Sequence, residues 1–482
     1  MSSKSIIAIL IAVSFAVAYY VATRGDRQED IAKELAKKQI QRRMQTIDQD
    51  GSDQSTGAID LDVMRLTEAL YAQKQDNSGR WLVKGQDSPG TVMLPFVPPL
   101  NGTLPDDGDI RDPDSSDANP GFVGASECAE CHRDRHAGFI HTAHHRTSGV
   151  VQVGDLDGRF MPPGNQLRTP DPELSFTMLE QDEQYVQRVS YGQWHLDFPL
   201  QVFTGSAKTG RTFLYWHGDA LYQSHVSYLS GLDEWIPSPG YDARQVDYAR
   251  PIRSGCLECH LTFIEPKRGT NRFDPQSAVY GISCERCHGP GEQHVTFHRA
   301  NPDEKVAKAI IHPSDLSRES QLDICGQCHS GSFSLLGKPF AYRPGFELSN
   351  YHKLKNPDFK GVGGIHTSNQ LTRLGMSACF QNSEMTCTTC HNPHENQRGN
   401  RQAFTESCLA CHETIDCGLS DELGERIVQG CIECHMPMGD NEGMTLQVAE
   451  GSFTVTMIDH YIRVDKRAAQ EHLQKSSNAV AE

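Results

Sequence analysis

Seven times in this chain two cysteines stand three positions apart with a histidine directly after the second. The sets are Cys128, Cys131 and His132; Cys256, Cys259 and His260; Cys284, Cys287 and His288; Cys325, Cys328 and His329; Cys387, Cys390 and His391; Cys408, Cys411 and His412; and Cys431, Cys434 and His435. They take up fourteen of the sixteen cysteines, whereas chance placement gives roughly 0.02 such pentads. Zinc ribbons, redox dithiols and disulfides also use paired cysteines, but none of them explains a histidine after every pair. One chemistry does. Two thiols at this spacing reach the two vinyl groups on one porphyrin edge, and the next residue is held beneath the iron as an axial ligand. Seven covalently attached haem c groups are therefore expected.

The rest of the composition fits a chain with such a filling. Hydrophobic residues make up 37% of 482 residues, and mean hydropathy is −0.52. That is lean for a chain long enough to hold one large domain or two to three ordinary ones. The formal charge of −17 excludes nucleic acid as a partner, since phosphate binding needs a basic footprint. Basic redox proteins and other cytochromes are the partners the charge admits, including a quinol-linked donor and assembly with further cytochromes.

Haem attachment of this kind takes place outside the cytoplasm, so export to the periplasm or cell surface is expected. Residues 5–22 (SIIAILIAVSFAVAYYVA) are uncharged and mostly apolar, and at ~1.5 Å per residue they reach about 27 Å. They read either as a cleaved signal peptide, with Ala16-Val17-Ala18 as its cleavage site, or as an uncleaved hydrophobic helix anchoring residues 1–22 in the membrane. Residues 23–83 follow as a charged, helix-prone stalk. Inside it, Asp48, Asp50 and Asp60 resemble a calcium loop, but Val63 stands where the bidentate glutamate belongs, and a solvated acidic turn is the plainer reading. Residues 84–120 are rich in Pro, Gly, Asp and Asn and read as an irregular linker. A haem region spans 121–464, interrupted at about 150–240 by alternating, β-branched and aromatic residues that predict short strands. Residues 465–482 read as a polar helix or tail.

Several strings reach beyond the pentads: CERCHGPGEQH from Cys284, MTCTTCHNPH from Met385, CIECHMPM from Cys431 and IDHYIRV from Ile458. Together they resemble the multihaem cytochromes related to the tetrahaem cytochrome of ammonia oxidisers and, more distantly, octahaem hydroxylamine oxidoreductase. The resemblance covers about residues 121–464. It implies a multihaem cytochrome c fold, mainly short helices and loops wrapped around stacked haems, with a small β-rich insertion and, here, the N-terminal hydrophobic helix. It also implies that most irons have a second, distal histidine.

His144 matches the helix that returns such a ligand in these relatives. His294 and His394 follow turns that bring the chain back, Gly-Pro-Gly in the first case. His460 would tie the C-terminus into the core, and His366 is a further candidate metal ligand. His312 and His225 are weaker, while His136, His195, His217, His298, His352 and His472 read as solvated or core polar residues. Cys379 and Cys417 remain. In an oxidising compartment a disulfide between them is economical, with free thiols or a thiolate ligand as the other readings.

Two function classes stay open. If every iron has two histidines, it is six-coordinate and suits outer-sphere electron transfer. If one haem keeps an open face, the chain is a multihaem oxidoreductase of the hydroxylamine oxidoreductase or nitrogen- and sulfur-oxide reductase kind. No catalytic residue can be named from sequence.

Overall fold

The computed structural model describes residues 63–481 apart from 68, 76–78, 104–118, 157, 242–243, 268–270, 355–363 and 449–450. The N-terminal hydrophobic helix and the acidic turn considered for calcium lie outside the described residues.

From Val63 to Asp247 the chain is dominated by strands. In the first of three five-stranded sheets the order is 63–65, 70–74, 81–85, 91–94, with Gln245–Asp247 added parallel to the fourth. The second runs 101–103, 194–199, 184–191, 174–181, 166–168, and the third runs 234–237, 220–229, 211–217, 202–204, 148–150. The sequence dictates this through period-two burial: Leu174 to Leu179 alternate between inward and outward positions, as a half-buried strand must. Tight turns fix the register. Asp182 and Glu183 both adopt positive φ, 50° and 59°, which joins Gln181 and Gln184 by a two-residue hairpin whose twist matches the strands.

Two sequence expectations are corrected here. The helical stalk does not run to residue 83, because Val63–Arg65, Leu70–Lys74 and Trp81–Gly85 are strands. Nor is 84–120 an irregular linker throughout, because Thr91–Leu94 and Asn101–Thr103 are strands too. The Pro, Gly and Asp clusters in this stretch flank the strands, and the short alternating runs between them carry the pairing.

These strands share one apolar core of 25 buried residues, among them Trp194, Phe198, Phe213, Tyr215 and Tyr248. Buried polar groups in it are matched. Gln187 donates to the Val226 carbonyl (3.3 Å) and accepts from the Val226 N–H (3.1 Å) and the Tyr248 hydroxyl (2.6 Å), linking the second and third sheets. Arg188 and Asp197 face each other across neighbouring strands and bond through two contacts of 2.7 and 2.8 Å.

The remainder is built differently. Helices here are short, four to twelve residues up to His435, with 3₁₀ turns and three two-stranded hairpins between them. Such helices are marginal alone. A longer helix, Lys466–Ala481, stands where the sequence reads as a polar helix or tail. Between residues 283 and 464 only ten described hydrophobic residues are buried. A smaller cluster around Leu214, Leu221, Phe263 and Phe340 joins this part to the third sheet. All of this belongs to one unit, Asp62–Glu482.

Candidate functional site

The pentads close as helical turns, except that at the second the His260 amide donates to the Leu257 carbonyl at 2.9 Å. The His132, His288, His391 and His412 amides donate to the carbonyl of the first cysteine of their own motif at 2.9, 3.0, 3.0 and 3.0 Å. Positions i, i+3 and i+4 of such a turn share a face, so both thiols and the imidazole project together. The rings are then oriented from behind. Nδ1 of His288 donates to the Ile311 carbonyl (2.8 Å), that of His329 to Thr367 (2.6 Å) and that of His435 to Arg463 (3.0 Å). His260 pairs through Nδ1 with the Thr147 hydroxyl at 3.0 Å. With Nδ1 engaged, Nε2 is the nitrogen left to bind a metal.

Four motif histidines have another imidazole set opposite them. Ring centres lie 6.3 Å apart for His132 and His294, 6.2 Å for His144 and His329, 6.1 Å for His288 and His394, and 6.1 Å for His391 and His460. With metal–imidazole bonds of ~2.0 Å and a ring centre ~1.15 Å behind each ligating nitrogen, two imidazoles on one metal have centres about 6.3 Å apart. The four separations match a single iron between each pair. Burial lowers the pKa of His144 and of His460 to about 4. Both imidazoles are held neutral, which is the form that ligates.

Neighbouring motifs are joined to one another. The Cys128 and Cys284 side chains adjoin one another, as do Cys259 and Cys328, Cys325 and Cys387, and Cys408 and Cys431. Buried charges lie between the motifs. The Glu285 carboxylate, 2% exposed, accepts from the amides of Val123, Gly124 and Gly291 and from the Ser283 hydroxyl at 2.8, 2.8, 2.9 and 3.0 Å. It thereby clasps the entry to the first motif onto the third. Arg286 of the third motif reaches Glu258 of the second, bonding its carbonyl at 3.0 Å and its carboxylate at 3.2 Å. Arg318 heads the helix of the fourth motif and donates to the Met385 and Phe380 carbonyls (3.0 and 2.9 Å), just ahead of the fifth. Arg401 and Glu433 pair between the sixth and seventh. At the fifth motif a cavity of about 440 Å³ is lined by Cys390, His391, Asn392, Ser407 and Arg135. A thiol and an imidazole on one wall with a cation in the lining suit a haem bearing carboxylates.

Comparison with known proteins points the same way. The family described as "Cytochrome c554 and c-prime" matches residues 240–289. The chain is 25% identical to the multiheme cytochrome MtrA of Shewanella baltica over 185 residues, 34% of this chain and 54% of that protein. The chain is similar to multihaem c-type cytochromes over these stretches. That similarity implies covalently bound haem c as the cofactor.

The chain is also 23% identical over 190 residues to the C-type polyheme cytochrome OmcC of Geobacter sulfurreducens, 33% of this chain and 22% of that protein. It thus spans about half of the first relative and under a quarter of the second. The crystal structure of outer cell wall cytochrome OcwA aligns with TM-score 0.46 and 17% identity, covering 73% of this chain and 81% of that one.

Within this chain the candidate histidines separate clearly. His144, His294, His394 and His460 each stand opposite a motif histidine. His366 does not: its Nδ1 pairs with the Ser368 hydroxyl at 2.7 Å, and among the described residues no motif histidine ring is set opposite it. His312 lies edge-on to His288 at 6.5 Å, beside the parallel His394. His225 sits in the β core between Phe176 and Tyr241, away from the pentads. The expected disulfide is absent. Cys379 and Cys417 are free thiols in different surroundings, the first near Cys390 and Cys408, the second near Cys434.

Sequence reasoning missed the clasps. Glu258, Glu285 and Arg286 are buried charges in and beside the CxxCH turns, a placement so costly without a partner that it signals contact between motifs.

Proposed function

We propose that this protein is a heptahaem electron-transfer cytochrome working outside the cytoplasm, passing electrons along closely spaced, mostly bis-histidine haems. The four opposed imidazole pairs, 6.1 to 6.3 Å between ring centres, carry the reading. Each haem would supply one Fe(III)/Fe(II) couple. The chain's part is to attach the porphyrin edges through its cysteines, hold neutral imidazoles on both faces and keep neighbouring motifs in register through Glu285, Arg286 and Arg318. Contact between thiols of different motifs supports short distances from haem to haem. The net charge of −17 favours basic patches on redox partners, such as a quinol-linked donor or another cytochrome. Periplasmic or cell-surface residence belongs to the same proposal, with tethering by residues 5–22 if they are retained. Among the described residues no helix is long and apolar enough to cross a membrane.

Haem quantification by the pyridine haemochrome assay, with intact mass, tests the count; seven per chain is the expected result. Ferric EPR tests the ligation, and low-spin signals should lose one component each in His144→Ala, His294→Ala, His394→Ala and His460→Ala. A spectrum unchanged by all four substitutions overturns the reading.

A second reading has its own observation. Among the described residues no imidazole is set opposite His260, His412 or His435 with the spacing of the four pairs. One of these haems would then keep an open face, as in a hydroxylamine oxidoreductase-like or nitrogen- or sulfur-oxide-reducing enzyme. Carbon monoxide binding by the reduced protein together with a high-spin ferric signal would favour that reading; purely low-spin haem would dismiss it.

A further inference from the structure

The segment Asp459–Arg463 touches two haem motifs at once. His460 stands opposite His391 of the fifth motif, and three residues later Arg463 is in contact with the seventh. The Arg463 carbonyl accepts from Nδ1 of His435 at 3.0 Å, and its N–H donates to the His435 carbonyl, also at 3.0 Å. This reciprocal pair orients the His435 imidazole through the same segment that carries His460. The Asp459 N–H in turn donates to the Pro437 carbonyl at 3.1 Å, two residues past His435.

One carboxylate organises the segment. Asp459 is 1% exposed. Arg373 donates to it through Nε (2.8 Å) and Nη2 (2.6 Å), Arg463 through Nη1 (2.7 Å), and the Tyr461 amide adds a fourth bond at 3.0 Å. The two guanidinium groups lie 5.7 and 5.0 Å from the Tyr461 ring. Ser377, fully buried, accepts from the Ile462 amide at 2.8 Å and donates to the His460 carbonyl at 3.3 Å. Breaking a buried pair of this kind leaves an uncompensated charge in a low-dielectric setting, where it acts strongly on nearby redox groups.

We infer that Asp459, Arg373 and Arg463 form a shared positioning cluster that holds His460 opposite the fifth-motif histidine and His435 in the seventh motif, and so sets the potentials of those two haems jointly. The inference rests on the bis-histidine reading above. Removing the negative charge leaves two cations facing both sites and favours Fe(II); removing one cation favours Fe(III). A merely structural cluster has no reason to respond with opposite signs.

The test is spectropotentiometric titration of the full holoprotein with ferric EPR and a haem count. In Asp459→Asn two of the couples should move to more positive potential, and in Arg373→Met the same two should move to more negative potential, haem number staying as in the parent. Asp459→Glu should restore most of the parent behaviour. If Asp459→Asn fails to fold, Arg373→Met carries the test through its negative shift of the same two couples, with Asp459→Glu as the charge-conserving control. Shifts of the same sign, a shift confined to one couple, or none at all would overturn the inference. His460→Ala separates it from the reading beneath: if that variant leaves the low-spin count untouched, His460 is not a ligand and the bis-histidine assignment fails there. If it removes one low-spin haem while the charge variants shift nothing, only the inference fails.

Discussion

The strand region, 63–103 with 148–247, and the motif region, 121–147 with 252–464, solve the problem of burial in opposite ways. The first fills its interior with its own side chains, an aromatic-rich cluster closed by Gln187 and the Arg188–Asp197 pair. The second buries few aliphatic groups, breaks into helices too short to stand alone, and instead carries most of the thiol and imidazole sets. Its interior is suited to porphyrin. One region is a folded protein with a hydrophobic core, while the other, on the function proposed above, is a sleeve for its cofactor.

The strongest way to break that comparison is to withhold the haem. Expressed without haem attachment, the chain should lose hydrogen-exchange protection over 283–464 while retaining it over 174–229. Equal loss in both regions would show that the strands also depend on the cofactor. The converse perturbation is Trp194→Ala. This side chain is 1% exposed and its Nε1 donates to the Pro99 carbonyl at 3.0 Å. The substitution should cost about 3–5 kcal/mol in chemical denaturation followed by far-ultraviolet circular dichroism. The haem Soret band should stay in place until that transition is reached, and a Soret change in the native baseline would argue against separate cores.

A smaller effect is expected from Glu285→Ala, which acts inside the motif region alone. It leaves the amides of Val123, Gly124 and Gly291 without their acceptor, at a cost of about 3 kcal/mol. Because the carboxylate joins the first motif to the third, the potentials of that haem pair should change and those of the sixth and seventh should not. A uniform shift of all couples would show that the clasp is not local.

The two regions also differed in how legible they were. The attachment chemistry could be read from the pentads because it is local: a five-residue turn places its own thiols and imidazole. Facing histidines were partly legible, since His294 and His394 return on short turns three to six residues past a motif. His366 misled because nothing in a string of residues distinguishes a ring aimed at an iron from one bonded to the next-but-one serine. Strands at 63–94 were hidden by the turn residues between them, and Gln245–Asp247 joins that sheet from about 150 residues downstream, a pairing no local pattern encodes. The disulfide was economical arithmetic on leftover cysteines, but the fold puts the two thiols beside different motifs. Clasps such as Glu285 link residues 160 or more positions apart, with only burial cost to betray them.

The finest test concerns acid. His225 is wholly buried in the strand core, its ring stacked on Phe176 at 5.2 Å, with Nδ1 accepting from the Asp247 amide at 3.2 Å. Burial lowers its pKa from 6.5 to about 3. The folded state therefore holds this ring neutral at acidities where the unfolded chain binds a proton. Its contribution to stability is intact above about pH 6.5 and falls away between there and pH 3, at a limiting slope of about 1.4 kcal/mol per pH unit. The strand region should lose stability over that window with the haem spectrum unaltered at first, and His225→Phe should flatten the slope. If the slope persists in the variant, acid acts on the strands through some other group. If the Soret band changes ahead of the circular dichroism, the motif region is the more acid-sensitive of the two and the ordering drawn here reverses.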